Sequence, residues 1–512
     1  MTSSTTNTKK IAKNTIVLYL RMLLMMSITI FTTRIILEGL GVGDFGVYNI
    51  VGGVIGFITM ISGALTISVQ RFLNFELGKK EGGQVSEVFS SSLIIHLGLA
   101  LCLLVLLETI GYWYFSHYIK LPADNYNAAM IVYHLSSLAA CITLIYSPFL
   151  AMTISYERMG IYAGTTISDV ILRLIAAYIL LKVADNRLVV YGELILLVTC
   201  ISLLINILVW KIWFKDVTLS LKLHRGLFIQ LTSFASWSAL GQIAWAFTLQ
   251  GSNILLNLFF GNVLNAAYGI TAQVNSAINK FVQSFQTAIN PQIIKSYAQD
   301  NYHQVVSLVF TGTRFSCFLL LIIVVPLFFE MDVVLNLWLN EVPPYTVLFC
   351  RIMLINCILD SASNYFATAM QATGKIRNYQ IVVSILLFMN FPMSYIFLII
   401  TNYPFVIFIV YGVISISLLF ARIRLVSTII KINLGKEFVK KVLFPLFRVI
   451  LFIIPIVYCF YLGVKPLPVV PQLAIFVVGC LILVGSIIYL LGLNAVERNR
   501  IVEFIKIHSS NS

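Results

Sequence analysis

Long continuous apolar stretches, separated by short charged or turn-rich breaks, dominate the pattern of this sequence. Their apolar residues run on without the alternation that the strands of a membrane β-barrel show. Each stretch reaches the roughly 20 residues that an α-helix needs to cross a bilayer, so the pattern predicts an all-α polytopic membrane protein with about 14 transmembrane helices. The predicted spans are 14–37, 45–70, 88–115, 127–153, 161–182, 189–210, 228–256, 264–290, 306–329, 345–371, 379–401, 404–425, 443–463 and 470–492.

Composition agrees with this class. The chain of 512 residues is 59% hydrophobic and only 11% charged, with a mean hydropathy of +0.94. A soluble domain carries about 25% charged residues, so an ordinary soluble protein is excluded. The eight cysteines lie in or beside apolar runs without a Cys-x-x-Cys or Cys/His cluster, which is typical of apolar packing residues. We therefore expect no metal site and no cofactor.

The net charge of +14 is unevenly distributed. With the N-terminus inside, the cytoplasmic segments hold 22 Lys and Arg residues. The opposite loops hold only Lys120, Lys182, Arg187 and Lys465. By the positive-inside rule this bias predicts that both termini are cytoplasmic. The basic loops therefore face anionic membrane lipids, and we expect no nucleic-acid partner.

The chain also repeats itself. Gly41 to Tyr48 opens the second span, and a similar segment, Gly261 to Tyr268, opens the eighth span 220 residues later. Each repeat holds six spans, so the two halves should be related by an axis along the membrane normal, with a site between them. The predicted organisation is a cytoplasmic tail (1–13), an N-lobe (14–210), a basic cytoplasmic linker (211–227), a C-lobe (228–430), an extra helix pair (431–492) and a cytoplasmic tail (493–512).

Two stretches resemble a known family over about residues 10–430 in pattern. Arg21, followed by Arg-Ile-Ile-Leu-Glu-Gly-Leu-Gly-Val-Gly-Asp-Phe-Gly-Val-Tyr-Asn from Arg34, resembles the first two helices of the bacterial polysaccharide flippases. The segment from Gln250 through Gly261 to Tyr268 resembles the start of their second lobe. These proteins belong to the multidrug/oligosaccharidyl-lipid/polysaccharide exporter (MOP) superfamily.

The resemblance implies a transporter of the bacterial inner membrane and not an enzyme. It would move undecaprenyl-pyrophosphate-linked oligosaccharide across the membrane by alternating access, for O-antigen or capsule synthesis. The expected partners are this lipid-linked oligosaccharide, membrane lipids, H+ or Na+ as coupling ion, and polysaccharide-assembly proteins.

Ionisable residues inside the spans are candidates for function because burying them in a membrane is costly. The candidate cations for an anionic headgroup are Arg21, Arg34, Arg173, Lys280, Arg314 and Arg351. The candidate coupling or structural carboxylates are Asp169, which can pair with Arg173 one turn away, and Asp360, which Arg314 could reach across helices. Two further arginines, Arg71 and Arg448, lie close enough to predicted span ends to snorkel.

The eighth span carries a polar stripe. Gln273, Ser276, Lys280, Gln283 and Thr287 recur at spacings of three and four, which places them on one helical face. Such a face should not meet lipid, so the stripe either lines a water-filled cavity or forms a hydrogen-bonded seam with another helix.

Other functions in the same or another class stay open. The sequence has no Walker A segment, so an ion or substrate gradient must supply the energy. Alternatives are a drug–cation antiporter, which the excess of cations disfavours, and a lipid II flippase of the same superfamily. A membrane polysaccharide polymerase or ligase is a further alternative, but the longest outward loop, 330–344, is acidic and carries no His, Arg or Lys.

Overall fold

The computed structural model describes residues 2–79, 83–118, 126–183, 185–220, 224–339 and 342–499, and the regular structure in these ranges is helical throughout. The first half of the chain forms α1 (Thr2–Gly78), α2 (Val85–Leu106), a π-helical turn (Leu107–Gly111), α3 (Tyr112–Tyr118), α4 (Tyr126–Ser155), α5 (Met159–Leu180) and α6 (Arg187–Trp213). The predicted N-terminal tail is thus helical from Thr2 and continuous with the first span.

The second half of the chain is helical as well. It forms α7 (Arg225–Phe260), α8 (Asn262–Ala298), α9 (Tyr302–Phe329), α10 (Met331–Trp338), α11 (Thr346–Thr373), α12 (Arg377–Phe388), α13 (Asn390–Thr401) and α14 (Val406–Ile430). The chain continues with α15 (Leu434–Phe438), a π-helical turn (Val439–Leu443), α16 (Phe444–Val464), α17 (Val469–Ile487) and a final π-helical turn (Ile488–Gly492). Of the predicted C-terminal tail, residues 500–512 lie outside the described part.

The all-α polytopic class is confirmed. Within the described residues, 12 helical segments are long and apolar enough to cross a membrane, so the chain is a multi-pass integral membrane protein. The two predicted spans missing from this set are helical as well. Span 45–70 forms the second part of α1, and span 264–290 lies in α8, where the many polar residues of the stripe lower the hydropathy.

Two glycines support the internal repeat. Gly41 interrupts α1 with φ 73°, and Gly261 separates α7 from α8 with φ 76°. A positive φ is easily adopted by glycine because it has no Cβ. Positions that are 220 residues apart therefore make the same backbone turn between consecutive spans. The first two predicted spans are accordingly separate helices that meet at Gly41.

The contacts divide the chain into two compact units. The first holds residues up to 243 together with 287–301 and 371–380, and the second holds 244–286, 302–370 and the residues from 381 on. The predicted linker at 211–227 thus lies inside the first unit, and two short segments of the second sequence half belong to that unit as well.

The extra helix pair packs within the second unit. The Phe476 ring of α17 lies 6.0 Å from Phe329 at the end of α9 and 5.4 Å from Tyr461 of α16. Beside this aromatic cluster, Gln472 Nε2 donates a 2.8 Å hydrogen bond to Oε1 of the buried Glu330. At the other end of the pair, Arg448 donates to the Leu491 carbonyl. Arg448 thus connects α16 to the turn after α17.

Candidate functional site

The polar stripe of α8 is exposed along most of its length. Gln273, Ser276, Lys280 and Gln283 are exposed, and Thr287 is half-buried. The opposite face of the same helix is apolar, since Ile278 and Val282 are buried in a core cluster with residues of α9 and α11. Lys280 therefore lies on the exposed face of α8, opposite the face that packs in the core. The neighbouring stripe residues make this exposed face polar.

A second set of α8 side chains forms a hydrogen-bonded seam. Asn279 Nδ2 donates a 2.7 Å hydrogen bond to Asn275 Oδ1, and Cys357 Sγ of α11 donates to the same oxygen at 3.1 Å. Asn275 and Asn279 thus form a hydrogen-bonded seam with α11 beside Lys280. The exposure of Ser276 and Lys280 favours the water-lining interpretation for this part of the stripe.

Lys280 makes no ion pair or hydrogen bond through its ammonium group within the described residues. An ammonium in the middle of a span needs water or an anion, because an isolated charge in hydrocarbon is strongly unfavourable. The exposed, unpaired Lys280 is therefore the part of the stripe best suited to bind an anionic group.

Arg21 and Arg34 occupy different faces of α1, as their spacing predicts. Arg21 Nε donates a 2.7 Å hydrogen bond to Thr166 Oγ1 of α5, and its guanidinium carbon lies 4.4 Å from the centre of the Tyr162 ring. Arg34 is exposed on the same face as Phe31 and Leu37. Neither arginine has an acidic partner among the residues that the structure describes.

Asp169 and Arg173 form the predicted pair on α5. Arg173 Nε donates to Asp169 Oδ2 at 2.9 Å, and Ser202 of α6 donates to Asp169 Oδ1 at 2.7 Å. Both carboxylate oxygens are therefore bonded, which lowers the cost of placing the carboxylate in a membrane. The side chain of Arg173 is still 35% exposed, so its remaining N–H groups are accessible.

Asp360 lies on α11 in the second unit with different partners. Tyr411 donates to Asp360 Oδ2 and Ser415 donates to Asp360 Oδ1, each at 2.7 Å, and both donors belong to α14. Arg422 of the same helix instead donates a 2.6 Å hydrogen bond to Ser363 Oγ. Asp360 is thus a carboxylate held by neutral donors, whereas Asp169 is held by an arginine.

Arg314 does not reach Asp360, and that expectation is wrong. Arg314 forms an ion pair with Glu497, which follows α17, and both side chains are largely buried. The backbone N–H of Asn494 donates to Glu497 as well, at 2.9 Å, so the carboxylate also caps this turn. This ion pair has a structural role, because it connects the segment after α17 to α9.

We predict that Arg314 and Glu497 act as one stabilising unit. Arg314→Ala and Glu497→Ala should each lower the thermal unfolding temperature, because each leaves a buried charge unpaired at a cost of about 3 kcal/mol. The double variant should be destabilised by clearly less than the sum of the two. Thermal unfolding of the purified variants in detergent measures this coupling. Additive losses would contradict the pairing.

Arg351 also has an acidic partner. It donates to Asp332 Oδ2 of α10 at 2.6 Å and to the Phe328 carbonyl at the end of α9 at 2.9 Å. The carbonyl groups at a helix end have no partner within the helix, so an arginine there completes their hydrogen bonding. The pairing favours a structural role for Arg351 over contact with a headgroup.

Two buried charged residues were missed as site residues. Glu157, in the turn between α4 and α5, is 5% exposed, and Arg71, near the end of α1, is 7% exposed. Arg71 therefore points inward, and its expected snorkelling is wrong. Their partners come from the second half of the sequence, so no local spacing signalled them.

Comparison with solved structures shows the fold. Multidrug and toxic compound extrusion (MATE) transporters align over most of this chain. A MATE structure in the bent conformation matches with a TM-score of 0.73 and 15% identity over 82% of this chain and 97% of that chain. An outward-facing multidrug resistance MATE family transporter of the MOP superfamily matches with a TM-score of 0.72 and 14% identity over 82% and 96%.

A third structure is informative because of its description. A MOP superfamily transporter from Pyrococcus furiosus matches with a TM-score of 0.70 and 14% identity over 82% of this chain and 96% of that chain. Its binding pocket is described as having reversed polarity that suggests a different function. No protein-family model matches the present sequence, and a search of curated proteins gave no match. The chain therefore has a MATE-like fold.

Proposed function

We propose that this protein is a membrane transporter that works by alternating access and carries an anionic, lipid-linked cargo. The MATE-like fold supports transport as the general activity. The repeat of six spans, marked by the paired turns at Gly41 and Gly261, is the architecture that such a mechanism uses. No nucleotide-binding motif is needed, because a gradient drives the change of state.

The main support for an anionic cargo is Lys280, which lies on the exposed stripe of α8 and has no acidic partner among the described residues. Among the described candidates, Arg173, Arg314 and Arg351 have acidic partners, whereas Arg21, Arg34 and Lys280 have none. Of the two candidate carboxylates, Asp169 is paired with Arg173, and Asp360 accepts hydrogen bonds from neutral donors. Among these candidates, the cations without an acidic partner outnumber the carboxylate without a cationic partner, and such an excess of positive charge suits a pyrophosphate group.

The specific cargo that we propose is a polyprenyl-pyrophosphate-linked oligosaccharide, moved towards the outer leaflet of the inner membrane. The resemblance of the segments around Arg34 and Gly261 to polysaccharide flippases supports this assignment. The uncharged stripe residues Gln273, Ser276 and Gln283 add donors and acceptors for sugar hydroxyl groups. Of the cations, Lys280 would contact the pyrophosphate, while Arg314 and Arg351 are reassigned to structural roles.

A second candidate, drug–cation antiport, is favoured by a specific observation. One structural neighbour is described as a multidrug resistance MATE family transporter. In that function Asp360 would hold the cation or exchange it for a proton. Lys280 opposes this candidate, because it would repel an organic cation along the stripe.

Deletion of the gene distinguishes the two candidates. Under the flippase proposal, the deletion strain should accumulate a lipid-linked oligosaccharide on the cytoplasmic side and lose the corresponding surface polysaccharide. Extraction and mass spectrometry of the lipid-linked sugars measure this directly. An unchanged sugar profile together with new sensitivity to cationic drugs would support antiport instead.

A further inference from the structure

Segments from both halves of the sequence pack together within the first unit. The last part of α8, after residue 286, and the turn between α11 and α12 belong to this unit together with α1 to α6. Ala288 of α8 is 1% exposed and lies in a cluster with Leu18, Ile154 and Met159. All of these positions lie at the helix ends that the charge distribution predicts to be cytoplasmic.

Glu157 is the centre of the first contact. Its carboxylate is almost fully buried and receives Gln292 Nε2 at 2.6 Å and Lys295 Nζ at 2.5 Å, both from the end of α8. Asn14 of α1 donates to the Glu157 carbonyl at 3.5 Å. Two helices, α1 and α8, thus donate hydrogen bonds to one residue of the turn between α4 and α5.

The backbone of Glu157 is unusual. Its φ of 59° lies in the left-handed region, where a residue with a side chain costs about 1 kcal/mol more than glycine. The repeat-related turn between α11 and α12 has Gly374 in this conformation, with φ 73°. The first turn therefore has a carboxylate at the position where the repeat-related turn has a glycine.

Arg71 is the centre of the second contact. Its Nη2 donates a 3.1 Å hydrogen bond to the carbonyl of Ala372, at the end of α11. The guanidinium carbon lies 4.5 Å from the Phe72 ring and 4.7 Å from the Phe75 ring. A Cβ atom at Gly374 would lie 2.5 Å from Arg71 Nη2, so a side chain there would displace the guanidinium group.

The two contacts are reciprocal. The end of α8 binds the turn between α4 and α5, and the end of the repeat-related part of α1 binds the turn between α11 and α12. Each half of the sequence therefore uses a charged group to hold the corresponding turn of the other half. The helix ends also approach closely, because a Cβ at Gly78 would lie 2.7 Å from Ala298 Cβ.

We propose that these contacts form a cytoplasmic latch, consisting of Glu157 with Gln292 and Lys295, and of Arg71 with Ala372 and Gly374. The latch holds the cytoplasmic ends of the two sequence halves together in the state that the structure shows. This inference rests on the proposed transport by alternating access, and it assigns the residues that keep the cytoplasmic side closed.

Because Glu157 is buried, its contacts should strongly affect the equilibrium between the closed and the cytoplasm-open states. Opening would separate Glu157 from Lys295 and leave charges that need water or new partners. Removal of one charge-assisted hydrogen bond changes such an equilibrium by about tenfold. A variant that lacks the latch should therefore populate the cytoplasm-open state more, even without cargo.

The test uses a reporter cysteine at Ala288 in a variant whose eight native cysteines are replaced. In inside-out vesicles, a membrane-impermeant maleimide should label Ala288→Cys slowly when the latch is intact. Glu157→Gly should raise the labelling rate about tenfold, as should Arg71→Ala. Glu157→Gly keeps the turn geometry, since glycine adopts its φ readily, and Lys295→Met tests the same contact without altering the turn.

Two controls separate the latch from a general loosening. Glu437→Ala removes a carboxylate that pairs with Lys441 at 2.8 Å on an exposed surface, and it should leave labelling unchanged. The charge exchange Glu157→Lys with Lys295→Glu should restore much of the protection. Equal labelling rates in all variants, or fast labelling with the latch intact, would overturn the proposal. Because labelling needs no cargo, this result is independent of the gene-deletion test of the proposed function.

Discussion

Replacing Lys280 by glutamate is expected to abolish transport of the lipid-linked oligosaccharide at normal protein abundance. The substitution puts a carboxylate on the exposed stripe of α8, where it would repel the pyrophosphate. Lys280→Ala should lower the transport rate about tenfold, which corresponds to the loss of one charge-assisted hydrogen bond. Surface polysaccharide in a complemented deletion strain, normalised to protein in the membrane, measures the effect.

Lys441→Glu is the matched control, because Lys441 is an exposed lysine on a side that the charge distribution predicts to be cytoplasmic. It should support transport as the unmodified protein does. Lys280→Gln should retain more transport than the glutamate variant, since an amide still donates hydrogen bonds to phosphate oxygens. Full activity of Lys280→Glu would exclude the stripe as the path of an anionic cargo.

Asp360→Asn is expected to remove the dependence of transport on an ion gradient. Of the two candidate carboxylates, Asp360 has neutral donors only, so its charge is available to a proton or Na+, whereas the charge of Asp169 is matched by Arg173. Exchange of cargo down its own gradient should continue in the variant. Transport into vesicles with and without imposed proton and sodium gradients measures the difference.

Asp169→Asn is the informative comparison for this result. It breaks the ion pair with Arg173, so its main expected effect is lower thermal stability. A loss of gradient dependence in Asp169→Asn alone would move the coupling role to α5. If both asparagine variants respond normally to the gradients, neither carboxylate couples transport to ions.

Features that repeat along one helix could be predicted from the sequence. The continuous apolar runs predicted the all-helical class. The exposed face of α8 was predicted from the spacing of four polar residues: Gln273, Ser276, Lys280 and Gln283. Both features depend on local periodicity. The pair of Asp169 with Arg173 follows from the same rule, since residues four apart are neighbours on a helix. The correspondence of Gly41 with Gly261 follows from the repeat.

Partners that are distant in sequence could not be predicted. Arg314 and Glu497 are 183 residues apart, and Glu157 and Lys295 are 138 apart, so only the packing of helices brings them together. Likewise, Glu108 of the first π-helical turn lies 2.6 Å from His134 of α4, although no acidic neighbour of that histidine is evident in the sequence. The sequence shows that each of these residues is charged, but it does not show which residue each one pairs with.

We propose that the cargo is a lipid-linked oligosaccharide whose anionic group follows the α8 stripe. Reconstitution tests it most directly, with purified protein in liposomes that carry a polyprenyl-pyrophosphate-linked oligosaccharide in both leaflets. An enzyme added outside that cleaves the sugar should consume the whole pool when the protein is present, and only the outer-leaflet share with Lys280→Glu. A protected inner pool, together with proton-driven uptake of an organic cation by the same protein, would contradict the account.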